Sequence, residues 1–333
     1  MAAKIWSTQQ KVVEEVFFQN EAVSLCLLVN RRARTMRVID FRAGPTSAKR
    51  LFVMSLAQRE GVEKAYTLVE RDEVQTWVKL GFAKEGTIPG FYKRSDAFLL
   101  GCPVRAAGRD ARDARGAPVD GAPRSDDADD APLESEMRIA AVKPAGAAPL
   151  SPAQEQMERT ILAAKREVKD PTETLPQARI APVREADARK AVTAALRSGR
   201  ALTAFEPFGR DVERSFFVAT ARGGFELQVS TEAQGCFGNA FLELLVGPRT
   251  PAERAGTAAA VKAFAERLQA EGVVSCFSLT PSDDVALATA FLHAGFRRTG
   301  LLLGHLRVGA GASSRRKDAI VWSRKLANPV EEA

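Results

Sequence analysis

The sequence predicts an α/β protein made of two similar units joined by a long linker, and three observations carry this prediction. Apolar runs typical of strands alternate with helical patterns in two separate regions. No Phe, Trp or Tyr occurs between Phe98 and Phe205, so this stretch lacks the residues of a packed core. The residue order of the first region also recurs in the second, as expected when one supersecondary unit is used twice.

The first unit is expected over 1–101. Its amino-terminal part shows Val12, Val13, Val16 and Phe17 at helical spacing, and the later helices end at glycines. The predicted elements are, in order, a helix over 8–20, strands over 22–29 and 35–41, a helix over 45–61, a strand over 62–70, a helix over 71–81 and a hairpin over 86–101.

A disordered linker is predicted over 102–184. Its first part is rich in Ala, Asp, Arg, Gly and Pro, and these residues offer little apolar surface to offset the entropy of ordering. A helix over 152–168 interrupts it, with Ser151 as N-cap and an apolar stripe that includes Met157 and Ile161. This stripe either docks on a neighbouring domain or a protein partner, or the helix frays in solution. Ordered structure is expected to resume near Glu185.

The second unit is expected over 185–327, followed by a tail over 328–333. Gly295-Phe296 repeats Gly81-Phe82, and Gly300 and Gly86 each lie four residues beyond those phenylalanines. The predicted elements are a helix over 185–198, strands over 201–208, 214–222, 225–231 and 239–246, a helix over 251–272, a strand over 273–280, a helix over 282–295, and closing strands over 300–308 and 318–326.

Composition argues against several classes of protein. The chain has 48 basic and 41 acidic residues among its 333, a net charge of +7, but no long basic run, so nucleic-acid binding is not predicted. The four cysteines occur singly beside two histidines, a pattern that predicts no metal site and free thiols in a reducing compartment. The first residues lack a signal-peptide pattern, and the longest apolar stretch, 22–29, is too short to cross a bilayer. A cytoplasmic protein without membrane contact is expected.

Several weak motifs together resemble one known family. The order of strand, loop, long helix ending in Gly, strand, short helix ending in "GF" and two strands resembles the GNAT-type acyl-CoA N-acyltransferases. The segments "FLELLVGP", "AERAGTA", "LQAEGVVSCFSLT" and "FLHAGF" of the second unit, and "VKLGFAKEGTIPGFYKRSDAFLLG" of the first, carry the resemblance. It implies two GNAT-like domains, each a mixed sheet flanked by helices, with the first abbreviated. It also implies acetyl-CoA or another acyl-CoA as co-substrate.

The resemblance further implies where coenzyme A would bind. The phosphate-binding turn of such enzymes is Gln or Arg, two residues, Gly, one residue, and Gly or Ala, with backbone N–H groups facing the pyrophosphate. Glu253 holds the first position of this turn in the second unit, and Gly44 with Pro45 marks the degenerate turn of the first. An ordinary helix start with small residues is the other interpretation. The implied cofactor-binding residues are Arg254, Ala255, Gly256, Thr257 and Ala258.

The implied catalytic groups match the family only in part. Glu243 lies on the strand before the turn, where the family often has its general base, although a Glu on a strand is also commonly an exposed residue. The family's acid, a Tyr five residues before the Phe of "GF", is replaced by Trp77 and Phe291. The resemblance therefore implies acetyl transfer to a primary amine of a small molecule or protein, with the second unit active. The alternative is a non-catalytic GNAT-like protein that binds a ligand or a partner.

Overall fold

The structure is a computed structural model. It describes residues 4–9, 13–21, 23–41, 44, 46–104, 150–170, 174–221, 225–234, 237–309 and 314–326. The part of the predicted linker over 105–149 and the predicted tail over 328–333 lie outside the described residues. Within the described part, no helix is both long and apolar enough to cross a membrane.

Within the described residues, the amino-terminal half contains seven strands and two helices. In chain order they are β1 (Lys4–Gln9), β2 (Val13–Gln19), β3 (Ser24–Asn30), β4 (Thr35–Asp40), α1 (Ser47–Arg59), β5 (Lys64–Val69), α2 (Val74–Lys79), β6 (Ala83–Ile88) and β7 (Ala97–Pro103).

The part of the carboxyl-terminal half that the structure describes contains seven strands and four helices. They are α3 (Pro152–Lys169), β8 (Ala178–Val183), α4 (Glu185–Arg197), β9 (Glu213–Ala221), β10 (Phe225–Gln234), β11 (Asn239–Leu244), α5 (Pro251–Ala270), β12 (Ser275–Pro281), α6 (Val285–His293), β13 (Arg297–Val308) and β14 (Arg315–Lys325).

All the strands belong to one mixed sheet, whose order is β1-β2-β3-β4-β5-β7-β6-β13-β14-β12-β11-β10-β9-β8. Each half therefore has the same internal strand order, and the two halves meet edge to edge. Among the described pairings, β4 with β5 and β11 with β12 are parallel, and the others are antiparallel. The helices α1 and α5 form the crossovers that these parallel pairs require. The predicted α/β fold with a mixed sheet is confirmed. The strands of both halves form one continuous sheet.

The two halves join where β6 meets β13, at the pair Gly86 and Gly300. A Cβ atom on Gly300 would lie 2.5 Å from the Cα of Gly86 and 2.6 Å from the carbonyl oxygen of Glu85. The two backbones can approach this closely only because both residues lack a side chain. The two glycines that repeat each other in the sequence are thus the residues that pair across the junction.

The helix predicted over 8–20 is wrong, because β1 and β2 occupy this region as an antiparallel pair. Val13 and Val16 lie on opposite faces of β2, and each packs into a different apolar cluster. A strand that is apolar on both faces does not alternate, and a short run of this kind also matches helical spacing.

The predicted linker is ordered over its carboxyl-terminal part. Helix α3 begins at its Ser151 N-cap, and its buried Met157, Ile161 and Ala164 pack into the core of the second half beside α6. The side chain of Thr289 on α6 also donates a hydrogen bond to Glu167 at 2.9 Å. The apolar stripe considered for a protein partner therefore contacts this chain's own second half.

The second half also begins before residue 185. Strand β8 (Ala178–Val183) pairs with β9 at the edge of the sheet, within the predicted linker. Pro182 made this segment look like a breaker, but an edge strand tolerates proline because one of its sides forms no ladder.

Candidate active site

The parallel strands of the first half diverge and open a cleft. Strands β4 and β5 pair up to Val38 and Thr67, and beyond this point their residues no longer face each other in a ladder. A cavity of about 700 Å³ lies at the divergence. This volume is within the range of about 300–1,000 Å³ that is usual for small-molecule sites. The cleft is lined by both halves; the second half contributes Arg210, Asp211, Glu213, Ala233, Gln234 and Phe237.

The corresponding divergence in the second half is nearly closed. Strands β11 and β12 pair only up to Phe241 and Phe277, but the cavity beyond them is about 70 Å³. The ring of Phe208 fills this space, with its centroid 4.9 Å from that of Phe241 and 5.3 Å from that of Phe277. A cavity of this size holds a few water molecules and is too small for a thioester.

Buried hydrogen bonds hold the segment that carries Phe208 in place. The backbone N–H groups of Phe208 and Gly209 donate to the carboxylate of Glu232 at 2.7 Å and 2.5 Å. The guanidinium of Arg37 donates to the carbonyl of Phe208 at 2.6 Å. The first half has no equivalent, because its chain passes from β1 to β2 within residues 10–12, whereas α4 and this segment separate β8 from β9. This difference explains why only the first cleft is open.

Glu243, the predicted base, lies on β11 beside the small cavity, where other side chains occupy its oxygens. One oxygen accepts hydrogen bonds from Arg214 at 2.8 Å and Ser230 at 3.1 Å, and the other accepts from Thr203 at 2.9 Å. Burial raises the pKa of Glu243, and the charge of Arg214 opposes this shift. In this arrangement Glu243 is a buried ion-pair partner and has no room for an amine substrate.

The predicted coenzyme A turn lies inside helix α5. This helix begins at Pro251, and the N–H of Arg254 already donates to the carbonyl of Thr250 at 2.9 Å. Gly256 is buried, and a Cβ there would lie 2.5 Å from the ring of Phe225. Ala255, Thr257 and Ala258 lie in the same helix, and Thr257 and Ala258 are buried. None of the five residues therefore forms an open turn.

The side chain of Glu253 occupies the anion-binding position at the start of α5. Its carboxylate accepts the N–H groups of Arg249 and Thr250 at 2.6 Å and 3.4 Å, and it forms an ion pair with Arg200 at 3.2 Å. The pKa of Glu253 is lowered, chiefly by the N–H of Arg249. Two backbone donors at this helix start, those of Arg249 and Thr250, are therefore occupied by the chain's own carboxylate.

The helix start of the first half differs in charge. Thr46 caps α1 by accepting the N–H of Lys49 at 3.1 Å, and the first turn contains no acidic residue. The buried ammonium of Lys49 pairs with Asp40 and donates to the carbonyl of Gly44 at 2.9 Å. No carboxylate on this first turn competes with an incoming anion.

Among the groups that line the first cleft and can transfer protons are Tyr92 and Glu73, to which the sequence motifs assign no role. Tyr92 follows β6, and its hydroxyl donates to the carbonyl of Leu68 at 3.4 Å. Burial raises the pKa of Tyr92 to about 12. Glu73 precedes α2, and burial also raises its pKa. Neither residue stands at a position where the family has its acid or its base, so the sequence motifs do not identify them.

The positions of the family's acid are part of the core in both halves. Trp77 is 1% exposed and its ring contacts that of Phe82 edge-on at 4.9 Å; Phe291 is fully buried and contacts Phe296 edge-on at 5.1 Å. The repeated geometry shows that these aromatic pairs pack the short helix against the sheet.

Comparison with solved structures finds similarity to N-acetyltransferases, the class that the sequence resembles. No protein-family model and no curated protein matches the sequence. The ribosomal-protein-S18-alanine N-acetyltransferase from Escherichia coli is 16% identical, with 47% of this chain and 99% of that chain covered and a TM-score of 0.34. A spermidine N-acetyltransferase from Vibrio cholerae, solved with CoA and spermine, is 11% identical, with 46% and 97% covered and a TM-score of 0.36. Each spans about half of this chain.

Proposed function

We propose that the chain is an acyl-CoA-dependent N-acyltransferase built from two GNAT-like units, about 4–104 and 150–326, with the reactive cleft in the first. One observation carries this proposal: the cleft between β4 and β5 measures about 700 Å³, and its counterpart between β11 and β12 about 70 Å³. The sequence favoured the second unit, but cavity size, the contacts of Glu243 and the self-capped start of α5 favour the first.

Three features of the first unit suit an acyl-CoA. Beyond Val38 and Thr67, the facing backbone groups of β4 and β5 no longer pair in the β4–β5 ladder. They can therefore pair with the amide groups of the pantetheine arm. The start of α1 has no acidic residue and can accept the pyrophosphate. The cleft is wide enough for the thioester and an amine to meet. The acceptor is proposed to be a primary amine, as in the spermidine enzyme with a similar fold.

The second unit supports the first as a rigid wall. Its segment around Phe208 is tied to β4 through Arg37, and Phe237 contacts the ring of Tyr92 at 5.3 Å between centroids. The first unit is abbreviated because only residues 10–12 separate β1 from β2, whereas α4 lies between β8 and β9. The second unit therefore supplies part of the cleft that an abbreviated unit would leave open.

Calorimetric titration of coenzyme A into the full chain tests the location of the site. Ala48, exposed in the first turn of α1, is replaced by Glu to imitate Glu253 of the second unit. A first-turn Glu stabilises the helix, so the variant folds, but it repels the pyrophosphate. We expect about tenfold weaker binding, equivalent to about 1.4 kcal/mol.

Two matched variants complete the experiment. Ala48→Gln has a similar size without the charge, and Arg254→Gln removes the exposed basic residue of the second-unit turn; both should bind coenzyme A like the wild type. Weaker binding by Arg254→Gln together with normal binding by Ala48→Glu would move the site to the second unit. Absence of binding to the wild type at millimolar coenzyme A would reject the proposed function.

A non-catalytic ligand-binding protein is the second candidate. The observation that favours it is the burial of Trp77 and Phe291 in the core, at the positions where the family places its acid. Under this alternative, coenzyme A or acetyl-CoA binds, but no acyl group is transferred to any member of a broad panel of primary amines. A measurable transfer rate above the uncatalysed rate excludes it.

A further inference from the structure

Glu73 and Tyr92 are two of the titratable side chains that line the first cleft, and the role inferred for them rests on the proposed function. Both line the cavity at the divergence of β4 and β5. Their charges also interact, because the carboxylate of Glu73 contributes to the raised pKa of Tyr92. The two groups therefore face a shared space.

Glu73 is held in a way that leaves its carboxylate usable. It occupies the N-cap position of α2 but makes no side-chain capping hydrogen bond. Its backbone N–H donates to the carbonyl of Glu70 at 3.3 Å, and its carboxylate forms no ion pair with any described residue. Burial, with the nearby negative charges, raises its pKa, which improves a carboxylate as a base. The charged or titratable groups around it are Arg37, Asp40, Glu70, Asp72, Tyr92, Arg210, Asp211 and Glu213.

Tyr92 is held in a way that suits an acid. Its hydroxyl lies 3.4 Å from the carbonyl of Leu68, a long contact that a better acceptor can replace. Leu68 lies at the divergent end of β5, where the thioester would be located. The ring is fixed edge-on against Phe91 and Phe237, at 4.9 Å and 5.3 Å between centroids. Burial raises the pKa of this hydroxyl to about 12, so it carries its proton at neutral pH.

We propose that Glu73 is the general base and Tyr92 the general acid of the acyl transfer, in place of the acid that Trp77 and Phe291 cannot supply. Glu73 takes one proton from the acceptor ammonium. The neutral amine attacks the thioester carbonyl, a C–N bond forms and the C–S bond breaks. The departing thiolate takes the proton of Tyr92, and the nitrogen of the tetrahedral intermediate returns a proton to Tyr92. The net reaction yields an amide and a thiol and releases one proton to solvent through Glu73.

The assignment is tested with acetyl-CoA and two acceptors, propylamine and hydroxylamine. Propylamine is protonated at neutral pH and needs a base, whereas hydroxylamine is already neutral. Glu73→Gln should lower kcat for propylamine by a factor on the order of a hundred or more and leave hydroxylamine transfer within about threefold. Tyr92→Phe should lower both. Coenzyme A affinity should stay within about threefold of wild type in each variant.

Two control variants occupy neighbouring positions outside the cleft. Glu70→Asp keeps the negative charge near Glu73 and an acceptor for the Ser95 hydroxyl, and Tyr66→Phe changes the other tyrosine, which lies beside the small cavity. Neither should change the ratio of the two rates.

Equal losses for both acceptors in Glu73→Gln, or wild-type rates in either Glu73→Gln or Tyr92→Phe, would overturn the assignment. So would a wild-type protein that binds coenzyme A but transfers to neither acceptor. A wild-type protein that does not bind coenzyme A would instead reject the proposed function.

Discussion

At the junction of the two halves, Gly300 is predicted to be intolerant of a single methyl group. In Gly300→Ala the new Cβ would lie 2.5 Å from the Cα of Gly86, whereas ordinary contacts begin at 3.4 Å, so backbone must move by roughly 1 Å. Overpacking of this severity costs about 3 kcal/mol. The smaller entropy of the unfolded alanine chain returns about 0.7 kcal/mol. The free energy of unfolding should therefore fall by about 2 kcal/mol.

Gly86→Ala is the matched control for this junction. Its Cβ would lie 3.1 Å from the Cα of Gly300, a contact that small adjustments relieve. An overpacking cost of about 1 kcal/mol, offset by the same entropy, leaves a change below about 0.5 kcal/mol. Urea unfolding at fixed temperature measures both variants, provided that the slope m is unchanged. Equal stability of the two variants, or a larger loss in Gly86→Ala, would refute the close approach at the junction.

Three further predictions concern the second half. Arg214→Met leaves two buried carboxylates unpaired and should lower the free energy of unfolding by about 3–5 kcal/mol in urea titrations; a change below 1 kcal/mol would contradict the buried ion pairs. Burial lowers the pKa of His305 well below 6.5, so the unfolded state binds the proton first, and stability should fall as pH drops below about 6.5. His305→Gln should flatten this part of the profile, and an unchanged slope would contradict it. Ile161→Ala should cost about 2–5 kcal/mol, while Leu162→Ala, at an exposed position, should cost under 0.5; equal costs would show that α3 is not docked.

The repeat and the core were accessible to sequence reasoning because they depend on short-range patterns. The paired "GF" motifs locate the buried aromatic pairs of both short helices, and the equivalence of Gly86 with Gly300 identifies the residues of the junction. That these two glycines pair with each other could not be read from the sequence, because edge pairing depends on three-dimensional placement.

Local patterns were misleading where tertiary packing decides the element. Strand β2 has apolar residues on both faces, which imitates helical spacing. Strand β8 contains Pro182 and few large apolar residues, and only pairing with β9 makes it a strand. In both segments the ladder of a neighbouring strand overrides a weak local preference.

The location proposed for the site was hidden for a related reason. Glu243 and the residues around Gly256 match the family pattern, but the ring of Phe208 closes the second cleft and Glu253 caps the turn from within. Phe208 is far from Glu243 in sequence, so its effect on the cavity is visible only in the fold. The Glu in the first position of the turn was the local signal that this helix start carries a carboxylate of its own.

Hydrogen exchange of the full chain, with and without coenzyme A, tests the central claim that the first unit holds the acyl-CoA. Amides that a bound ligand covers or pairs with exchange more slowly. The account predicts slower exchange at residues 39–40, 46–50 and 68–69, around the divergence of β4 and β5 and the start of α1, with no change at 249–258. Protection at 249–258 without protection around the first cleft would contradict it.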